Sequence, residues 1–95
     1  DVDMLRHYNY ACAEAIVTGG DPFTITKMAS IAKLKAGRLQ RKVSDTCIQF
    51  HGGIGYMEET WTSRFYRDSR LLSIGGGADE VMLRILAGME GWGKL

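Results

Sequence analysis

Proline occurs once in these 95 residues, cysteine and histidine twice each, and no apolar run approaches the ~18 residues that a membrane-crossing helix requires. A chain almost free of proline has nothing to interrupt long helices. Cys12 and Cys47 are far apart and lack CxxC spacing, which excludes a disulfide framework or a thiolate metal knuckle and leaves buried free thiols suited to a reducing compartment. Around His7 and His51 no set of carboxylates or thiols has the spacing that would make a convincing zinc site, so no metal site is expected. Twelve Lys and Arg are interleaved with eleven Asp and Glu, for a net charge of +1, too little of one sign for nucleic acid to be the main partner. Alternating strand patterns, internal repeats, low-complexity linkers and a signal-like charged-then-apolar start are also missing.

What remains is a chain 45% hydrophobic and 24% charged, ordinary globular usage. One domain at most fits this length, and alone it would bury only ~65% of its unfolded surface, a marginal core. It opens at Asp1 without Met and goes almost at once into helical periodicity, as a piece of a longer protein would.

Met4, Leu5, Tyr8, Cys12, Ala15 and Ile16 recur at intervals of three and four and predict an amphipathic helix over residues 2–17. Gly19 and Gly20 end it. Asp21 and Pro22 start the next, since Asp accepts free first-turn amides and Pro there forfeits no hydrogen bond. From 23 to 50 the stripe Ile25, Met28, Ala32, Ala36, Leu39, Val43, Cys47 and Phe50 predicts one helix of ~40 Å, central to a bundle because Ile31, Leu34 and Ile48 lie off the stripe. Lys27, Lys33, Lys35, Arg38, Arg41 and Lys42 mark its wetter positions. Residues 51–56, His-Gly-Gly-Ile-Gly-Tyr, predict a turn or tight loop in place of regular structure, and a short helix is expected over 59–67. Residues 71–74 have no clear period. After Gly75-Gly76-Gly77 a last helix begins at Asp79 and Glu80, where negative charge suits the macrodipole, with Val81, Met82, Ile85, Leu86 and Met89 as its apolar face. Gly88, Gly91 and Gly93 weaken its end.

Both glycine loops sit beside helix ends and permit a phosphate ligand without requiring one. Gly-Gly-Ile-Gly lacks the remaining glycine of a dinucleotide fingerprint, a preceding strand, and the lysine of a P-loop. His51 reads first as a helix-end histidine bonding a carbonyl. Arg67, Asp68 and Arg70 read as an ion-pair network holding the short helix to the bundle, and Trp61, Phe65 and Tyr66 as packing residues.

Three linked segments are more specific. Cys47-Ile48-Gln49-Phe50-His51-Gly52-Gly53-Ile54-Gly55-Tyr56, then Tyr66-Arg67-Asp68, then Ile74-Gly75-Gly76-Gly77 with Glu80-Val81-Met82 resemble, in order and separation, the C-terminal signature of the acyl-CoA dehydrogenases over residues 22–86. The resemblance implies an all-α antiparallel helical bundle, incomplete and of about four helices, with residues 1–95 as a C-terminal domain lacking its first helix and the domains before it. It implies FAD shared across a subunit interface, contacted by Gln49, Phe50, His51, Gly52 and Gly53 and by Ala78, Asp79 and Glu80. Ala78 stands where the family usually has Thr and lacks the hydroxyl that would bond the flavin. Gly77 matches the glycine beside the acyl thioester.

Gly76 stands where many members carry the catalytic glutamate, so no catalytic residue is expected in this chain. As in the long-chain and isovaleryl branches, the base is expected from an earlier helix, with room for a long or branched acyl chain. The resemblance further implies oxidation of an acyl-CoA to the trans-2-enoyl-CoA, a homodimer or homotetramer, an electron-transfer flavoprotein as acceptor, and the mitochondrial matrix in a eukaryote or otherwise the cytoplasm. The competing reading is a non-catalytic helical interaction module that kept only the scaffold.

Overall fold

The computed structural model describes residues 1–92, and among these the chain is helical with no strand: α1 (Val2–Val17), α2 (Pro22–His51), α3 (Gly53–Tyr56), α4 (Trp61–Ser69), a 3-10 turn (Arg70–Ser73) and α5 (Asp79–Met89). The all-α bundle is as expected. Asp21 caps α2, its carboxylate accepting from Thr24 N at 3.0 Å, and Pro22 is the first helical residue. Gly52 closes α2 with φ 67°, its amide donating to Ile48 O at 3.1 Å. Gly93 lies outside the described residues, while Gly91 at φ 82° follows the end of α5.

α2 is the spine against which every other element packs. Lys42 pairs with Asp1 at 3.9 Å while the 18–21 turn joins α1 to α2, so α1 runs back along it. α5 is antiparallel too, with Asp79 near Arg41 at 3.8 Å and Glu90 bound by Lys27 at the other end. α4 likewise starts beside His51, which Trp61 meets edge-on at 5.8 Å, and ends where Gln40 donates to Ser69. The assembly measures 48 × 34 × 19 Å, so its thinnest dimension is about two helix diameters.

Three expectations change. The apolar stripe of α2 is not its buried face. The buried residues are Ser30, Leu34, Gly37 and Ser44, and at 100° per residue these lie roughly opposite the stripe. Small, polar side chains let α4, α5 and the 3-10 turn approach closely, which hydrophobicity does not reveal. The stripe is half-buried from Ile25 to Leu39, the span beside which α1 runs, but Val43 and Phe50 are exposed. α1 has 16 residues and α2 has 30, so α2 overhangs its partner by ~20 Å at 1.5 Å per residue.

Residues 53–56 form a turn, as expected, but a regular helical one, because two threonines pin it. Thr62 Oγ1 donates to Gly55 O at 3.0 Å and Thr60 Oγ1 to Ile54 O at 2.6 Å. The short helix begins at Trp61, two residues late, since Arg64 binds the carbonyls of Glu58 and Glu59 and holds them outside it. The 3-10 turn, Arg70–Ser73, takes up most of the 71–74 stretch that has no clear period.

The apolar core is small: Cys12, Leu34 and Met82 are its buried members, and the most buried side chains are Thr62 and Ser44. The accessible surface is 6935 Å², against about 5,400 Å² for a compact monomer of this mass. Large apolar side chains are among the exposed ones, including Phe50, Tyr56, Val17 and Met4. No helix among the described residues is long and apolar enough to cross a membrane.

Candidate functional site

The two glycine segments sit at different places along α2. The first, Gln49 to Gly53, forms the tip of the overhang. Gln49, Phe50, His51, Gly52 and Gly53 are all exposed, Phe50 at 85%, and nothing lies within 4 Å of where a side chain on Gly52 or Gly53 would begin. His51 Nδ1 bonds Cys47 O at 2.8 Å, the helix-end role expected of it, and its ring meets Trp61 edge-on. Trp61 pairs in turn with Phe65 at 6.4 Å. These aromatics were expected to be packing residues; Trp61 is 55% exposed, so the row borders the tip instead of filling a core.

The second segment, Gly76 to Glu80, packs against the middle of α2 at Gly37. Residues 37 and 50 are thirteen apart, ~20 Å along the helix. The structure therefore does not join the two segments within one chain. Gly76 and Gly77 have φ 67° and 106°, a left-handed region that side chains rarely adopt. The space at Gly76 is open, Lys33 Cε being the nearest atom at 3.9 Å from a built Cβ, and Lys33 Nζ donates to Leu72 O just before the loop. Ala78 is the N-cap of α5 and no side chain caps the helix, so the amides of its first turn lack intrahelical and capping partners.

Asp79 and Glu80 separate. Glu80 is exposed, whereas Asp79 is buried and turns inward, near Arg41 Nη1 and close to Gly37. Its Oδ1, Ser73 Oγ, Gln40 Oε1 and Arg70 Nη1 are buried without a hydrogen-bond partner among the described residues. Gln40 Nε2 donates to Ser44 Oγ at 3.2 Å and to Ser69 Oγ. This polar layer between α2, the 3-10 turn and α5 was missed by sequence reasoning. Its one signal was Ser30, Gly37 and Ser44 spaced by sevens inside a lysine- and arginine-rich stretch.

The ion-pair network expected of Arg67, Asp68 and Arg70 does not form: none of the three has an oppositely charged partner within 4 Å among the described residues. Arg70 instead lines a pocket of about 410 Å³ with Arg38, Arg41, Lys42, Asp45 and Tyr66. Cys12 is a buried free thiol and Cys47 a half-buried one, and no cluster of His, Cys, Asp or Glu among the described residues could hold a metal ion.

The family model described as "Acyl-CoA dehydrogenase, C-terminal domain" matches residues 1–89. The chain belongs to the acyl-CoA dehydrogenase family. Probable acyl-CoA dehydrogenase YdiO of Escherichia coli K12 is 47% identical over 57 residues, covering 60% of this chain and 15% of the relative. The mitochondrial long-chain specific acyl-CoA dehydrogenase of Sus scrofa is 46% identical over 59 residues, 62% of this chain and 14% of that protein. The acyl-[acyl-carrier-protein] dehydrogenase MbtN of a Mycobacterium species is 38% identical over 87 residues, 90% and 21%. In three dimensions the chain is similar to a Mycobacterium smegmatis crystal structure described as an acyl-CoA dehydrogenase, with TM-score 0.87 and 32% identity over 96% of this chain and 23% of that one. This acyl-CoA dehydrogenase domain thus spans about a seventh to a quarter of the length of such relatives. Its thin shape and uncovered overhang belong to a domain whose relatives are several times longer.

Proposed function

We propose that this chain is part of an FAD-dependent acyl-CoA dehydrogenase that oxidises an acyl-CoA to the trans-2-enoyl-CoA, and that it contributes flavin contacts and oligomer surface. The observation that carries the reading is the exposed tip at Gln49 to Gly53, standing on a family-matched domain ~20 Å from the Gly76 to Glu80 segment. Two cofactor segments so far apart on one chain suit a flavin bound between subunits of a homodimer or homotetramer. Residues present fit such a group: the open backbone at Gly52 and Gly53 would admit the adenine-nucleotide half with Gln49, Phe50 and His51 around it. The uncapped amides at Asp79 and Glu80 would meet polar atoms of a second flavin, with Ala78 offering none from its side chain and Asp79 acting through its backbone because its carboxylate is buried.

A flavin held there would supply the hydride acceptor, and a carboxylate would be needed to take the α-proton. Gly76 cannot take that proton, so the base comes from elsewhere in the intact protein. Gly77 lies beside the thioester, and the bare position at Gly76 leaves room for a long or branched acyl chain. An electron-transfer flavoprotein is the proposed acceptor; one relative, 38% identical over 64 residues, is a caffeyl-CoA reductase-Etf complex subunit. The proposed compartment is the mitochondrial matrix in a eukaryote and otherwise the cytoplasm.

The test is to purify the intact protein, measure its flavin absorbance, and add saturated acyl-CoAs of increasing length anaerobically. Bleaching of the flavin with formation of an enoyl-CoA is expected. A protein that holds no flavin, or holds one that no acyl-CoA reduces, would leave only the non-catalytic scaffold.

A further inference from the structure

The pocket between α2 and the end of α4 is not used by the flavin or substrate segments. Its lining carries four cations, Arg38, Arg41, Lys42 and Arg70, against one carboxylate, Asp45, with Tyr66 as the remaining wall. Two of the cations are partly engaged at long range, Arg41 with Asp79 at 3.8 Å and Lys42 with Asp1 at 3.9 Å. Arg38 and Arg70 face the same space from two different elements and have no oppositely charged partner within 4 Å among the described residues. Arg70 Nη1 is shielded from solvent and donates to nothing in the described residues.

A shielded guanidinium donor without an acceptor is costly, and the groups that match its planar fork are carboxylates and phosphates. With a net formal charge of +3 on its lining, the pocket suits a multivalent anion better than a single carboxylate. Its volume of about 410 Å³ falls in the range of small-ligand sites and exceeds what one buried counter-ion fills.

We propose that this pocket binds a diphosphate group, held between Arg38 on α2 and Arg70 at the head of the 3-10 turn, with the Tyr66 hydroxyl as a further donor. The site is separate from the flavin tip and does not depend on the acyl-CoA reading. Because Arg70 precedes the glycine segment by only a few residues, an anion here would also fasten the turn that leads to it.

Inorganic pyrophosphate is titrated calorimetrically into the intact protein with FAD present in excess, with sodium chloride of matched ionic strength as the control and ADP as a parallel probe. Saturable pyrophosphate binding, weakening as salt is added, and lost about tenfold in Arg38→Gln and again in Arg70→Gln, is expected. Arg38 is exposed and its variant should fold as the parent does, while Arg70→Lys retains the charge and should fall between. ADP competing with pyrophosphate assigns the diphosphate to a nucleotide; ADP without effect assigns the free anion. No heat beyond the chloride control, or pyrophosphate binding untouched by both glutamine variants, overturns the proposal.

Discussion

A side chain on Gly37 would begin 3.0 Å from Asp79 Oδ1 and 2.8 Å from Ser73 Oγ, so the absence of one on α2 sets how closely the start of α5 can approach. In a free helix Gly→Ala gains about 1 kcal/mol. Here the sign reverses. Gly37→Ala makes the Ser73 hydroxyl and the Asp79 carboxylate turn aside within a buried layer where neither has a hydrogen-bond partner to spare among the described residues, and overpacking of this kind costs ~1–3 kcal/mol. Thermal unfolding of the intact protein should show a lowered midpoint; an unchanged or raised one would mean the layer is slack.

Thr62 is fully buried and its hydroxyl is the donor that satisfies Gly55 O. Thr62→Val keeps the shape but strands that carbonyl, costing ~1–3 kcal/mol. Thr62→Ser keeps the bond and should be milder. Denaturant melts of both variants decide it, and equal losses would locate the effect in packing.

Asp21 accepts from the amide and hydroxyl of Thr24 at the head of α2. Removing the cap with Asp21→Ala costs ~1 kcal/mol, while Asp21→Asn should cost much less because it can still accept. Amide exchange in the first turn of α2 is the local readout.

Gly52 and Gly53 are adjacent but differ in backbone. Gly52 at φ 67° and ψ −150° holds a backbone that is essentially closed to other residues, at ~1–3 kcal/mol for alanine, whereas Gly53 begins a helical turn with open space around it. Gly53→Ala should therefore fold normally. If the tip receives a flavin, the same variant loses cofactor on gel filtration. Full flavin content would remove Gly53 from the contact.

Gly76→Glu has space but a left-handed backbone, so it lowers stability by ~1–2 kcal/mol. On the proposed function it also places a carboxylate in the substrate region. The expected outcome is a changed chain-length profile in the intact enzyme. An unaltered profile would show that this loop is remote from substrate.

Helix positions were legible because each carries its own local signal. Asp21-Pro22 opens α2 and Gly52 closes it, and both are decided within a few residues of backbone. The register of α4 was not legible, since it depends on Arg64 reaching back to Glu58 and Glu59. Trp61 and Phe65 look like core by composition alone, yet they border the exposed tip. The family likewise was legible in three linked segments, and the matched domain agrees with it.

The order and lengths of the helices, and the glycines that must turn left-handed between them, were written in the sequence, because capping and backbone sterics are local. Only the tertiary structure decided which face of α2 is inside. Ser30, Gly37 and Ser44 are buried by virtue of being small, while the more apolar Val43 and Phe50 remain outside. Close approach of helices is a property of two surfaces together, and one helix's hydrophobicity cannot report it. The same contacts turned Asp79 inward and left Arg70 without a partner beside Arg38, a juxtaposition of residues 32 positions apart that exists only once α4 has folded back along α2.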